Sequence, residues 1–176
     1  MLSDPESLKR FGDKAYCLCH LERTRRELLH QLEAIPEETF FRQPDPETWS
    51  VALLMEHVAL AEGSFARVIR RLRRIAQGEA LEAVTVPAGE LKGGKAQAPA
   101  IIRPKGGLSK AQIAQLLAEQ RAFLLAEVEK SGELLEHPAT FPHPFFGELN
   151  GLGWLQTAVF HERHHLAQIP TRLEGT

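Results

Sequence analysis

The segment Phe160-His-Glu-Arg-His-His-Leu166 carries two histidines, His161 and His165, four residues apart near the end of the sequence. On a helix this spacing sets the imidazoles about 40° apart around the axis and about 6 Å apart along it. Such a pair suits a single metal ion, and imidazole serves zinc, nickel, copper and iron alike. The pair alone decides little, because eight histidines among 176 residues give about 0.4 such pairs by chance. A third ligand has to come from elsewhere in the chain.

Stepping about 100° per residue along the segment after Ser50 puts Leu54, His57, Ala61, Phe65, Val68 and Leu72 on one stripe. His57 is therefore expected to point inward, where the plain alternative is a core histidine satisfied by a carbonyl or a water. His161 and His165 border the stripe of Trp154, Leu155, Ala158 and Ile169, so three imidazoles can converge in one interior. Three neutral histidines leave coordination positions open, as a catalytic site does and a structural site does not.

His161-Glu162-Arg163-His164-His165 also fits H-E-x-x-H, the helix of zinc proteases in which Glu is the general base. The extended form of that motif needs glycine at position 168 and histidine at 171, where this chain has Gln168 and Thr171. Glu162 lies about 100° from His161 among apolar positions. It is either a base or supporting residue beside the ligands, or a buried carboxylate satisfied by other partners. His164 falls toward the polar flank, beside the ligands or at the surface. His137 and His143 sit in the Pro-rich stretch HPATFPHPFFGEL, where either could reach the metal mouth although loop histidines are more often exposed, and His20 and His30 sit on the first helix, at its surface or core edge.

The elements that must position these residues are helical. Leu8, Phe11, Ala15, Leu18, Leu28, Leu32 and Ile35 repeat at helical spacing until Pro36. Pro44 and Pro46 break EETFFRQPDPET, and Thr48 or Ser50 can cap a second helix running to Gln77 before Gly78. Ser109-Lys-Ala-Gln112 is a capping box that opens a third helix to Ser131. A fourth starts after Asn150 and ends at Ile169, before Pro170. Four helices without an alternating strand pattern predict an all-α antiparallel four-helix bundle, one domain over residues 1–176. The connector 78–107 holds six glycines and three prolines, and Ala83–Pro87 with Ala100–Pro104 could pair there as a short hairpin.

Together these residues resemble the DinB-like superfamily, which includes YfiT-like metal-dependent hydrolases. The resemblance rests on Trp49-Ser50 opening a helix, His57 eight residues past Trp49, Phe146-Gly147-Glu-Leu149, Trp154, and His161-Glu-Arg-His-His165-Leu-Ala-Gln168-Ile169. It covers the chain from the first helix to Ile169, least well in the 78–107 connector. It implies a four-helix bundle, often dimeric, holding a divalent metal such as zinc, nickel, manganese or iron on His57, His161 and His165. Some members are thiol S-transferases that use bacillithiol, mycothiol or glutathione.

Composition narrows the remaining classes. Lys+Arg 21 against Asp+Glu 23 leaves a net charge of −2, which gives no global attraction to nucleic acid or membrane. The arginines of Ala66–Ile75 read as a solvated helix face rather than a nucleic-acid site. No apolar run reaches the roughly 18 residues of a membrane span, and no signal peptide opens the sequence, which predicts a cytoplasmic protein. Cys17 and Cys19 cannot share a disulfide or a metal on a helix and are expected as reduced core thiols. Two function classes remain open: a metalloenzyme, either hydrolase or thiol transferase, acting on a small molecule; and a non-enzymatic metal-binding or stress-response interaction module.

Overall fold

The computed structural model describes residues 4–173. Its long helices are α1 (Lys14–Ala34), α3 (Val51–Ala76), α4 (Lys110–Ser131) and α5 (Gly151–Leu166), with α2 (Glu37–Phe41) and α6 (Ile169–Leu173) as short additions. They form a four-helix bundle in which α3 packs on α4 and α5, and α1 packs on α5. Each long helix starts at a side chain that accepts a backbone N–H three residues on: Asp13 from Tyr16, Ser50 from Leu53, Ser109 from Gln112 and Asn150 from Gly153. These caps satisfy donors that the helix itself leaves unpaired, each worth about 1 kcal/mol. Ser109 and Gln112 complete the reciprocal box expected from their spacing.

The departures from expectation have local causes. The first apolar stripe is two elements, a 3-10 helix Pro5–Phe11 and then α1, separated by Gly12 at φ +68°. Capping by Asp13 resets the register, so Cys17, Leu21, Leu28 and Leu32 are buried, Ala15 is exposed and Leu18 is half-buried. Of the two thiols expected in the core, only Cys17 is there, its thiol donating to the Phe11 carbonyl; Cys19 is exposed. Pro44 and Pro46 restrict only their own surroundings, which leaves Glu37–Phe41 free to form α2 and bury Phe40 completely. The last bundle helix stops at Leu166 rather than Ile169, and Pro170 sits in the first turn of α6, where a missing N–H breaks no helical bond.

The connectors also carry structure. No strand forms at Ala83–Pro87 or Ala100–Pro104; the hairpin is instead β1 (Leu91–Lys92) with β2 (Lys95–Ala96), turned by Gly93 and Gly94 at φ +57° and +77°. Ala100–Ile102 is a 3-10 turn. The Pro-rich stretch before α5 pairs β3 (Phe141–His143) with β4 (Gly147–Leu149).

Two apolar clusters fill the bundle. One gathers Leu21, Phe65, Leu124 and Ala158, the other Leu28, Val58, Leu117 and Ile169. On each helix one charged residue falls between the two sets: Arg25, Glu62, Arg121 and Glu162. These four are buried together and form a polar layer across the bundle.

Candidate metal centre

His57 reaches the interior from the second turn of α3, and His161 and His165 reach it from successive turns of α5. The His57 and His161 Nε2 atoms are 3.0 Å apart, and those of His165 and His161 3.2 Å apart. The three form a group whose ligand atoms lie within 4.8 Å of one another and could hold a metal ion. His57 is buried; His161 and His165 are half-buried. The sequence spacing thus brings together all three of the imidazoles it selected.

Their outer hydrogen bonds fix which nitrogen is bare. His57 Nδ1 lies 2.8 Å from the Ile102 carbonyl, which can only accept, so the ring proton is on Nδ1 and the Nε2 lone pair faces the cluster. His165 Nδ1 donates to Gln168 Oε1 at 2.9 Å, with the same result. The Gln168 amide nitrogen donates in turn to His164 Nε2 at 2.9 Å. Two lone pairs therefore converge on His161 Nε2, and a single proton there can satisfy only one of them. A cation resolves all three, and ligand nitrogens about 2.0–2.1 Å from a tetrahedral ion are themselves roughly 3.3 Å apart, close to the observed spacings. The donor set fits a divalent metal.

The surroundings keep the rings neutral. Burial, then the neighbouring His165 and His57 rings, hold the His161 pKa well below the ordinary value. Burial lowers His57 and takes His165 down to about 3. Trp49 packs on His57 with ring centroids 5.1 Å apart, and Phe65 meets His161 edge-on at 5.5 Å. The long connector is tied down beside the cluster, since Glu56 accepts the Lys105 and Gly106 backbone N–H groups, both at 2.9 Å, one residue before His57.

His143 enters from β3, close enough to contribute to the field at His161. Its ring lies 5.0 Å from Trp154, which in turn touches Phe65. The backbone N–H groups of Phe145 and Phe146 both donate to His143 Nδ1, so its proton is on Nε2, and burial takes its pKa down to about 4. Of the two loop histidines considered able to reach the site, His143 is thus the one placed beside it, while Gln168 and Ile102 are contributors that sequence reasoning passed over. The signal for Gln168 was its position three residues after His165; Ile102 acts through its carbonyl and leaves none.

Glu162 does not approach the imidazole cluster's nitrogens as a partner. Its two oxygens accept from Arg25 Nε at 2.6 Å and Arg121 Nη2 at 2.7 Å. Glu62 closes the ring, accepting from Arg25 Nη2 at 2.7 Å and from Arg121 Nε. The remaining guanidinium nitrogens donate to the Leu117 and Leu21 carbonyls. Burial opposes the charge on Arg25, and Glu62 and Glu162 outweigh it and raise its pKa. Each Glu162 oxygen thus accepts from a guanidinium group of the ring, which directs the carboxylate to Arg25 and Arg121.

Elsewhere, His20 is buried near the N-terminal end of α1, His30 is exposed and His137 is half-buried, its Nδ1 accepting from the Ala139 N–H. The arginine run on α3 is largely paired within the molecule: Arg70 and Arg73 with Glu127, Arg74 with Glu79, and Arg71 with the Glu82 carbonyl. No helix among the described residues is long and apolar enough to cross a membrane.

Comparison with known proteins adds three findings. A profile of the DinB superfamily matches residues 20–169. The uncharacterized protein YuaE of Bacillus subtilis (strain 168) is 23% identical over 146 residues, covering 82% of this chain and 90% of YuaE. The crystal structure of TT2238, described as a four-helix bundle protein, superimposes with a TM-score of 0.67 at 38% identity, covering 88% of this chain and 96% of that one.

Proposed function

The chain belongs to the DinB superfamily, and from that premise we propose that it is a metal-dependent enzyme whose His57, His161 and His165 hold one divalent ion. The observation that carries this reading is the convergence of three Nε2 atoms, two of them with lone pairs fixed by hydrogen bonds to Ile102 and Gln168. A divalent ion supplies Lewis acidity when bound, which serves hydrolysis by making water nucleophilic near neutral pH, or thiol transfer by keeping a low-molecular-weight thiol as thiolate. Zinc, nickel, manganese and iron all suit the donors.

The chain's own residues prepare the site for either reaction. Ile102 and Gln168 hold two rings in the ligating tautomer and orientation. Trp49, Phe65 and Trp154 line the interior with apolar surface that limits water beside the histidines. His143, neutral with its proton on Nε2, offers a hydrogen-bond donor near the cluster for an oxygen or sulfur that gains charge during the reaction. Small-molecule substrates, a homodimeric state and a cytoplasmic setting complete the proposal.

Elemental analysis of protein purified without a metal-affinity tag tests it, beside His57→Ala, His161→Ala and His165→Ala variants. The expected result is about one metal equivalent in wild type and loss in every variant, with turnover of ester or electrophile-plus-thiol substrates abolished by chelator and restored by metal. Metal without any chelator-sensitive turnover would favour the interaction module instead. No bound metal after reconstitution would overturn the site.

A further inference from the structure

A cleft of about 480 Å³ opens between the N-terminal 3-10 helix, the start of α1 and the last turns of α5. Its α5 wall is Phe160 and Arg163, on the far flank of the helix from His165, and His164, whose ring lies 5.1 Å from that of His165. Its other walls are Arg10, Phe11, Tyr16 and His20. No carboxylate lines it.

The hydrogen-bonding capacity of this lining is one-sided. Arg10 and Arg163 are donor-only side chains, both exposed, and neither forms an ion pair among the described residues. Both guanidinium groups lean over the Phe11 ring, at 4.9 and 5.8 Å from its centroid. His20 Nδ1 is taken by an N–H of Arg23 at 3.1 Å, so its remaining nitrogen carries a proton. His164 Nε2 is taken by Gln168, which leaves its Nδ1 as a donor as well. Two cations and two neutral N–H donors thus surround the space, and the Tyr16 hydroxyl alone among the lining side chains offers an oxygen acceptor. Burial and then the charges of Arg23 and Arg163 depress the His20 pKa, which registers the positive field from the protein side.

The apolar part of the lining is flat and open. Tyr16 is 52% exposed, and Phe160 lies nearly parallel to His164 with the planes 16° apart. An adjoining depression that shares Arg163 contains Glu27 and lacks this single sign of charge. In a chain of net charge −2, unpaired guanidinium groups gathered at one cavity favour an anionic guest over solvent.

We propose that this cleft binds a small molecule carrying a phosphate or carboxylate group beside a flat aromatic portion, independently of the three-histidine centre. Arg10 and Arg163 grip the acidic oxygens, His20 and His164 add donors, and Tyr16 with Phe160 receives the ring.

Calorimetric titration of the full chain at low ionic strength, with and without chelator, tests this using phenyl phosphate, benzoate and benzyl alcohol. Saturable binding of phenyl phosphate or benzoate in the millimolar range or tighter is expected, and the two arms separate phosphate from carboxylate preference. Benzyl alcohol should not bind measurably. Arg10→Gln and Arg163→Gln should each weaken the anion about tenfold, the loss of one charge-assisted contact. Both positions are exposed, and melting curves check that the variants fold. His57→Ala should bind the anion as wild type does, which separates this cleft from an anion held by a metal. Equal binding by the Arg10→Gln/Arg163→Gln double variant, loss of binding in His57→Ala, or no saturation by about 10 mM would each overturn the proposal.

Discussion

His161 and Glu162 are chain neighbours, yet they serve two buried polar groups built on opposite logics. The ring of Arg25, Glu62, Arg121 and Glu162 is complete: two positive and two negative groups exchange four hydrogen bonds, and the leftover donors find carbonyls. The histidine group is incomplete, with three nitrogens facing one another and at most one proton to share between them. A closed network binds the four helices to one another and has nothing left to offer a ligand. An open one contributes little to cohesion and is ready for a cation. The difference teaches that burial of polar groups is not by itself a sign of function; the unspent bonding capacity is.

The largest effect that could break this comparison comes from the ring. Arg25→Ala should destabilise the fold by about 3–5 kcal/mol, because it takes one of two guanidinium partners from each of two buried carboxylates and leaves Arg121 to balance both, and chemical denaturation measures it. His161→Ala without metal should cost far less by the same measurement. Equal losses would erase the distinction between the two groups. Replacing all four ring residues by apolar side chains of similar volume should be much milder than the single change.

Acid sharpens the contrast next. His57, His143, His161 and His165 all have pKa values below the unfolded value of 6.5, with His143 at about 4 and His165 at about 3. Below pH 6.5 the unfolded chain binds more protons than the folded one, so stability is fully present above that pH and is lost as pH falls toward the folded values. Each histidine contributes a slope of up to about 1.4 kcal/mol per pH unit. Metal-free protein should show this decline in denaturation midpoints between pH 6.5 and 4, and the triple His→Ala variant of the cluster should flatten most of it.

The smallest effect concerns the outer support. Gln168→Ala should weaken metal binding by about tenfold while moving metal-free stability by no more than about 0.5 kcal/mol, as competition with a chromophoric chelator and a thermal melt would report. A loss of fold in this variant would place Gln168 among the cohesive groups instead.

Helical periodicity made the bundle and its three imidazoles legible, since a 100° step puts His57 on the inward stripe of its helix and His161 and His165 together at the border of theirs. The charged ring was harder to see because arginine and glutamate ordinarily mark a solvated face. Its trace is nonetheless present: Arg25 lies between Leu21 and Leu28, and Arg121 between Leu117 and Leu124, at positions that an apolar stripe would fill. Glu162 was ambiguous for a related reason, as the H-E-x-x-H pattern places the same carboxylate next to a ligand whether it serves the metal or the opposite wall. His143 was legible only as a loop histidine able to reach the metal mouth, because a tight hairpin and packing against Trp154, rather than helical periodicity, position it. The connector's path likewise depends on Glu56, whose buried carboxylate pairs with backbone groups that carry no side-chain signature.

That clamp has a consequence for how the molecule can diversify. Lys105 and Gly106 are anchored to α3 by Glu56, Ile102 by His57, and Gly89 to the Pro144 carbonyl. Between these moorings the hairpin tip at Gly93 and Gly94 is exposed and has nothing packed within 4 Å of where side chains would begin. The stretch 90–98 therefore behaves as an exchangeable cassette, because doubling a flexible loop adds only about 0.6 kcal/mol of closure cost. New sequences can be carried past the bundle at this point while the fastenings on either side, and the histidine orientation that depends on one of them, stay as they are.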